Sequence, residues 1–369
     1  MSDSKIGCII LGSGGLVSQR FQQRLCNHPF FELIGVIGSP NSVGKRLSEL
    51  PWHLDEKRPE IPDFHILSME NGLELTENND VRVIFSAVPS SIAAQVEPLF
   101  IKKGGTVYSN ASFHRMKSEV PLVIPEVNSN HLVLLDSEKP GIVCSTNCTV
   151  MPIALSINPI NAEMKIKRIS INTEQSVSGG GLELLNSTRS GEQPSVEIPG
   201  EANKIKEELI RLLSTMINRI ERKPSFDVFV DCKRIKREFG HVVHIEIETE
   251  SPVTKKWIMD KWKTSVQNNY SGLPSSPQSH IIIKESISPE KDRWAGSSEI
   301  DPDPSENLHA GMAIVVTKPE IEGCVINWSA FSENTIRGAA GGCVLLAEMD
   351  SVRRGWIQST SSGEGYNHP

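Results

Sequence analysis

The chain has 369 residues, 38% of them hydrophobic, and a formal net charge of −7, which is enough chain to bury more than one core and predicts two domains. The acidic balance excludes a nucleic-acid binder, which needs a basic footprint to displace counterions from phosphate, but leaves room for small anionic substrates. No apolar run approaches the about 20 residues of a membrane span, and the opening MSDSKIGCIILGSGG lacks a signal-peptide layout, so a cytoplasmic protein with no membrane partner is expected.

In chain order, residues 6–11 (IGCIIL) form a short apolar run, the pattern of a strand buried on both faces, and end on Gly12, Ser13, Gly14 and Gly15. Residues 16–26 carry apolar side chains at helical intervals and residues 31–37 (FELIGVI) return to strand, which makes a βαβ unit with glycines at its first turn. Further strands are predicted at 81–88, 106–109 and 141–144, with a helix at 92–103. Strands alternating with helices up to residue 145 predict an α/β, Rossmann-like, doubly wound parallel sheet. Beyond it, strands at 166–172, 225–230, 241–248 and 312–316 with one amphipathic helix at 204–216 predict an α+β unit on a mostly antiparallel sheet. The stretch 271–307, rich in Ser, Pro and charge, reads as loop or insertion, 335–350 as a closely packing helix, and 359–369 as a disordered tail. The expected division is 1–147 plus the C-terminal helix 332–358 for the cofactor, and 148–331 for catalysis and dimerisation.

The glycine turn sits where a dinucleotide pyrophosphate meets backbone N–H groups at a helix N-terminus. It is not a full G-x-G-x-x-G, because Val17 stands at the last glycine, and a tight strand-to-helix turn is the plainer explanation. The second strand ends at Gly38, Ser39, Pro40, Asn41, Ser42, Val43, Gly44 and Lys45, with no acid to bind a ribose 2′-hydroxyl; this favours NADP over NAD. The seven cysteines are scattered without zinc-type spacing, so no metal is expected and the thiols read as reduced. Cys148 lies in a polar turn (Ser145, Thr146, Asn147, Cys148, Thr149) that opens a helix, where the dipole and free N–H groups favour a thiolate. Asn147 is placed to donate to the oxyanion of a tetrahedral intermediate. A small buried thiol is the bland reading.

Here the residues resemble a known family. Asn147, Cys148 and Thr149 after a strand resemble the N-C-S/T nucleophile segment of the aspartate-semialdehyde dehydrogenase family, and TEQSVSGGG at 173–181 resembles its T-x-Q-A-x-S-G-A-G. Ser109-Asn110-Ala111 with Arg115, VPLVIPEVN at 120–128, Gly200-Glu201 with Lys204, Cys232-x-Arg234 leading to Gly240-His241, and Asn334 before RGAAGG keep the family order. The resemblance covers nearly the whole chain and points to the branch with archaeal and fungal members. It implies attack of the Cys148 thiolate on aspartyl 4-phosphate, loss of phosphate, hydride transfer from NADPH to the thioester, and release of aspartate semialdehyde. It implies His241 as the acid–base group, although HVVHIEIE by itself leaves His244 equally eligible. By the same resemblance Gln175 positions the acyl group, Arg234 holds the α-carboxylate and Glu201 faces the amino group, while Arg115, Lys204 and Asn110 cradle phosphate. The implied NADP(H) residues are Gly12, Ser13, Gly14, Gly15, Leu16, Val17, Ser39, Ser42, Lys45, Ser178, Gly179 and Asn334, and a homodimer or homotetramer is implied.

The family pattern is not kept everywhere. Ser13, Gly14 and Ser18 replace the alanine, threonine and last glycine of G-A-T-G-x-V-G, and Ser18 is expected to loosen the turn. Asn41 replaces an arginine common beside the ribose phosphate, charged Lys236-Arg237-Glu238-Phe239 follows where a proline is usual, and Glu333 precedes Asn334 where histidine or aspartate is common. Asp292-Arg293-Trp294-Ala295-Gly296 resembles malonyl-CoA reductase, so three readings compete: the family's own activity, a paralogue using another acyl donor, and a non-catalytic homologue. Gly200-Glu201 favours the first, because a substrate without an amino group has no need of that carboxylate.

Overall fold

β1 (Ile6–Leu11) is a strand because its apolar run is covered on both sides; Cys8, Ile9, Ile10 and Leu11 are fully buried. The computed structural model describes residues 5–264 and 272–357, so the tail expected at 359–369 lies outside the described residues. After β1 come α1 (Leu16–Leu25), β2 (Phe31–Ile37), α2 (Met69–Asn78), β3 (Val83–Ser86), α3 (Ser90–Lys102), β4 (Thr106–Ser109), α4 (Pro125–Asn128) and β5 (Ile142–Cys144). The strands pair β2-β1-β3-β4-β5, all parallel, as the alternation predicts. α2 escapes the sequence reading because Gly72 weakens its helical pattern. That glycine is required by packing, since a Cβ there would lie 2.3 Å from Ile37 Cδ1.

α5 (Val150–Asn161) leaves this sheet, followed by β6 (Ile166–Gln175), α6 (Leu182–Arg189), α7 (Glu201–Leu212), β7 (Thr215–Ile217), β8 (Ile220–Arg222), β9 (Asp227–Arg234), β10 (His241–Thr249) and α8 (Lys255–Thr264). Then come β11 (Ile281–Lys284), α9 (Pro289–Asp292), β12 (Ile314–Thr317), β13 (Glu320–Glu322), β14 (Val325–Ser332) and α10 (Gly341–Arg353). The second sheet runs β11-β12-β14-β10-β6-β9, with β13 on β14. It is mostly antiparallel, as expected; only β6-β9 and β11-β12 are parallel.

Some boundaries correct the sequence reading. The helix expected at 204–216 begins at Glu201 and ends at Leu212, because residues 215–222 form a hairpin whose tip, Asn218 and Arg219, has positive φ. The strands at 166–172 and 225–230 run on to Gln175 and Arg234 because they pair with each other in register. The stretch 271–307 is not all loop, since it holds β11 and α9. β14 has no counterpart in the sequence reading, although Ile326, Trp328 and Ala330 alternate inward as in a half-exposed strand.

α5 is apolar all round because it is buried from both sides. Its Ile153, Leu155 and Ile157 share one core with Leu11 and Ile84 of the first sheet and Ile169, Val243 and Trp328 of the second. The other face of the first sheet packs on α1 and α10, through Phe21, Leu25, Val344 and Leu345. The short stretch between β5 and α5 is therefore fixed between the sheets, and it carries Cys148. Among the described residues no helix is long and apolar enough to cross a membrane.

Candidate active site

The turn before α5 is anchored by α7. Glu208, 2% exposed, accepts from the Asn147 backbone N–H at 2.7 Å and the Thr146 hydroxyl at 2.9 Å, and its other oxygen accepts from Arg115 Nη1 at 3.0 Å. Asn147 Oδ1 accepts from the Thr149 N–H at 2.8 Å, and Nδ2 donates to Glu201 Oε1 at 2.8 Å. Thr149 is the N-cap of α5, so half-buried Cys148 stands one residue before the cap. Behind it, residues 336–340 form a π-turn, with Gly338 N–H donating to Glu333 O and Ala340 N–H to Thr335 O, each at 3.1 Å. A Cβ at Gly338 would lie 2.6 Å from Cys148 Cβ, so only glycine permits this approach.

His241, fully buried at the start of β10, places Nε2 3.2 Å from Cys148 Sγ. His244, three residues on, points to the opposite face, is 48% exposed and bonds Ser329 Oγ at 2.8 Å, which separates the two candidates. The 176–179 loop packs over the ring: Ser176 N–H donates to Nδ1 at 3.1 Å, and a Cβ at Gly179 would meet His241 Cε1 at 2.9 Å and Arg234 Nη1 at 3.2 Å. Arg234 ends β9 opposite Gln175 and donates from Nη1 to Ser176 O at 2.8 Å. Gln175 is buried, with its amide 3.4 Å from Thr173 Oγ1. The basic run splits by side: Arg234 and Arg237 turn inward, whereas Lys233 and Lys236 are more exposed.

The electrostatics reverse one expectation. Burial, reinforced by Glu201, pushes the Cys148 thiol up to about 12, although Arg115 and Arg234 pull the other way. Burial, with Arg234 and Arg237, brings His241 down to about 3. Helix-end stabilisation of a thiolate is outweighed here by desolvation, which favours the neutral thiol and the neutral imidazole. Around the phosphate candidates, burial works against the Arg115 charge but Glu208 offsets it, and the guanidinium is held more basic than usual. Arg115 Nη2 also donates to Asn110 O at 2.7 Å, Asn110 Oδ1 accepts from Ser145 Oγ at 2.9 Å, and Lys204 is exposed on α7.

The glycine turn suits a dinucleotide. Gly12, at φ +101°, donates its N–H to Ile37 O at 2.8 Å. Gly15 caps α1 without a side-chain bond; it is exposed, and a Cβ added to it would have no neighbour within 4 Å, so the chain is approachable at the start of the helix. Ser18 does not loosen this turn: fully buried, its hydroxyl donates to Gly12 O at 2.6 Å and ties the helix to the turn. Ser13 and Ser42 hydroxyls meet at 3.2 Å, Ser42 donates to Ser39 O at 3.0 Å, and Lys45 is exposed beside them. Leu16 joins Leu54, Val177, Leu185 and Phe239 in an apolar cluster between this turn and the second sheet's loops, with Val17 partly buried. Ser178 and Asn334 are buried and bond each other at 3.0 Å, with Asn334 Oδ1 also accepting from Gly240 N–H at 2.7 Å; they brace the loop that carries exposed Gly179.

Two departures from the family pattern also have structural explanations. Glu333, fully buried, accepts from the N–H groups of Thr335 at 2.7 Å and Ile336 at 2.5 Å, and so caps the π-turn. Arg293 lies 4.4 Å over the Phe239 ring and pairs with Asp55 and Glu56, each at 3.0 Å; the segment that resembles malonyl-CoA reductase is a clamp between 292–296 and the 52–58 stretch. Sequence reasoning misses Glu208, Ser176, Arg237 and Gly338 as site residues. Ser176 and Gly338 lie within recognisable motifs and Arg237 in the charged run that departs from the family pattern, whereas Glu208 looks like any helix carboxylate.

Known proteins share this architecture. Residues 8–135 match the family model described as semialdehyde dehydrogenase, NAD binding domain. The chain is 32% identical over 353 residues to the aspartate-semialdehyde dehydrogenase of Archaeoglobus fulgidus, covering 92% of this chain and 96% of that protein. It is 30% identical over 365 residues to the malonyl CoA reductase (NADP) of Metallosphaera sedula, covering 94% and 97%. Its fold matches the crystal structure of aspartate semialdehyde dehydrogenase with NADP from Candida albicans at a TM-score of 0.80 and 24% identity, over 96% of this chain and all of that one. With the nucleophile turn, the histidine and the glycine turn in these positions, the chain belongs to the aspartate-semialdehyde dehydrogenase family.

Proposed function

We propose that the chain is an NADP-dependent oxidoreductase that converts L-aspartyl 4-phosphate to L-aspartate 4-semialdehyde through a thioester on Cys148, a step in making aspartate-derived amino acids. The observation that carries this reading is the 3.2 Å contact between Cys148 Sγ and His241 Nε2, enclosed by Arg234, Glu201 and Asn147. Cys148 attacks the acyl carbon and phosphate departs, with His241 holding the sulfur's proton and Asn147 Nδ2 and Gln175 orienting the acyl oxygen. Arg234 has N–H groups besides the one given to Ser176, in a fork suited to a carboxylate. Glu201, already accepting from Asn147, pairs with the substrate ammonium. Arg115 and Lys204 supply positive charge for phosphate and Asn110 an amide N–H.

Gly12, Ser13, Gly14, Gly15, Leu16 and Val17 would hold the pyrophosphate, Ser39, Ser42 and Lys45 the ribose phosphate, and Ser178, Gly179 and Asn334 the nicotinamide end. Bound there, NADPH supplies the hydride that reduces the thioester. A second copy of the chain would cover the exposed outer face of the second sheet, giving a homodimer or homotetramer, and seven free cysteines suit a cytoplasmic location. The test is acyl-donor choice with purified protein. Phosphate-dependent reduction of NADP by aspartate semialdehyde is expected; NADPH oxidation driven by an acyl-CoA instead, or no turnover, would contradict it.

A further inference from the structure

His241 meets the nucleophile with Nε2 and the rest of the protein with Nδ1. Two atoms of Ser176 lie within hydrogen-bond distance of Nδ1, its backbone N–H at 3.1 Å and its hydroxyl at 3.1 Å, and the Gly240 backbone also favours the protonated ring. The two Ser176 atoms favour different rings. A backbone N–H only donates, so it favours a bare Nδ1 with the proton on Nε2. In that form Nε2 has no lone pair with which to take the thiol proton of Cys148. The hydroxyl both donates and accepts, and its own proton has an outlet at Asn334 Oδ1, 3.2 Å away. Asn334 Oδ1 is itself fixed by Gly240 N–H at 2.7 Å.

Building on the reading of Cys148 as nucleophile, we propose that Ser176 is a positioning residue whose hydroxyl accepts the Nδ1–H of His241 and so lets Cys148 pass its proton to Nε2. The S–H bond breaks, an Nε2–H bond forms, the Nδ1 proton stays on the ring, and Ser176 keeps its own proton, turned to Asn334. The charged groups facing the ring make such an acceptor important. Arg234 from β9 and Arg237 from the following loop both oppose an imidazolium, whereas Glu201 bears on Cys148 and Arg234. Without the hydroxyl, the Ser176 atom left facing an Nδ1–H is its backbone N–H, and only the Gly240 backbone favours the protonated ring. The family pattern T-x-Q-A-x-S-G-A-G carries alanine here, so the hydroxyl is a feature of this chain.

The test is the rate of Cys148 alkylation by iodoacetamide against pH in the full-length protein, followed by the mass of the peptide carrying Cys148. Proton transfer within the pair predicts that the wild-type rate levels off towards neutral pH. In Ser176→Ala that plateau is expected to fall about tenfold or more, the effect of losing one hydrogen bond to a charged group, while free-thiolate alkylation at high pH is retained. Superimposable curves overturn the proposal, as does a wild-type rate that keeps dropping tenfold per pH unit. The measurement uses no substrate, so its failure is distinct from failure of the proposed activity, which turnover by Cys148→Ala would reveal.

Discussion

Gly179 and Gly338 hold the reacting pair at contact distance, and they do so by lacking a side chain. Gly179 is exposed, and a methyl there would meet little but His241 and Arg234. Gly179→Ala is therefore expected to lower kcat by up to about a hundredfold through displacement of the imidazole, with the melting temperature unchanged; an undiminished kcat would contradict the placement. Arg234→Lys tests the carboxylate fork. It is expected to raise KM for aspartate semialdehyde by roughly tenfold or more, because a lysine cannot bond bidentately, and to leave KM for NADP alone. Equal effects on both would mean that Arg234 serves another purpose. At this scale the sequence exposed the nucleophile, the glutamine and the arginine through their motif order. It could not choose between His241 and His244 without the family pattern, whereas strand alternation separates them at once. Nor could it show Glu208 beneath the nucleophile turn, since its partners Arg115 and Asn147 are far away in sequence.

Among the elements, the first turn and the π-turn position the chemistry. The turn after β1 depends on the Ser18 hydroxyl, buried against Gly12 O. Ser18→Ala is expected to cost about 1 kcal/mol of stability, the typical value of one such bond, and to weaken NADP binding; denaturant midpoints and cofactor titration measure both. Unchanged values would mean that the turn holds without it. The strands of the first sheet were legible because buried parallel strands are continuous apolar runs, whereas α2 was not. β14 was not, since its inward alternation spans polar and aromatic residues, and neither was the π-turn, whose i to i−5 bonds depend on Glu333 capping from within the chain. Helix-end reasoning about Cys148 failed for a similar cause: it describes the local dipole and omits the desolvation that tertiary burial imposes.

At the scale of the molecule, the two sheets share the core around α5, and buried ion pairs fasten the rest. Glu126 of α4 lies 2.6 Å from Arg337 of the π-turn and 2.7 Å from His280. Burial alone would raise its pKa, yet Arg337 and His280 hold it at about 2 against an ordinary 4.5. His241, by burial and the nearby arginines, is held at about 3 against 6.5. For both groups the unfolded chain takes the proton first, so their contribution to stability is complete above the unfolded value. It is lost as pH falls, between 6.5 and about 3 for His241 and between 4.5 and about 2 for Glu126. Urea midpoints are expected to decline through that range. Glu126→Gln should be less stable at neutral pH by on the order of 3 kcal/mol, because it strands a buried arginine, yet show a flatter acid limb; an equally steep limb would contradict the pairing. Such long-range fastening was not legible in the sequence. Arg293 and Asp55 are 238 residues apart, and no periodicity relates them. Whether Cys148 carries the acyl group is read out by peptide mass mapping after incubation with aspartate semialdehyde and NADP in the absence of phosphate. An aspartyl group on the Cys148 peptide is expected; NADPH formed while that peptide stays unmodified, or an acyl group on a different residue, would contradict the assignment.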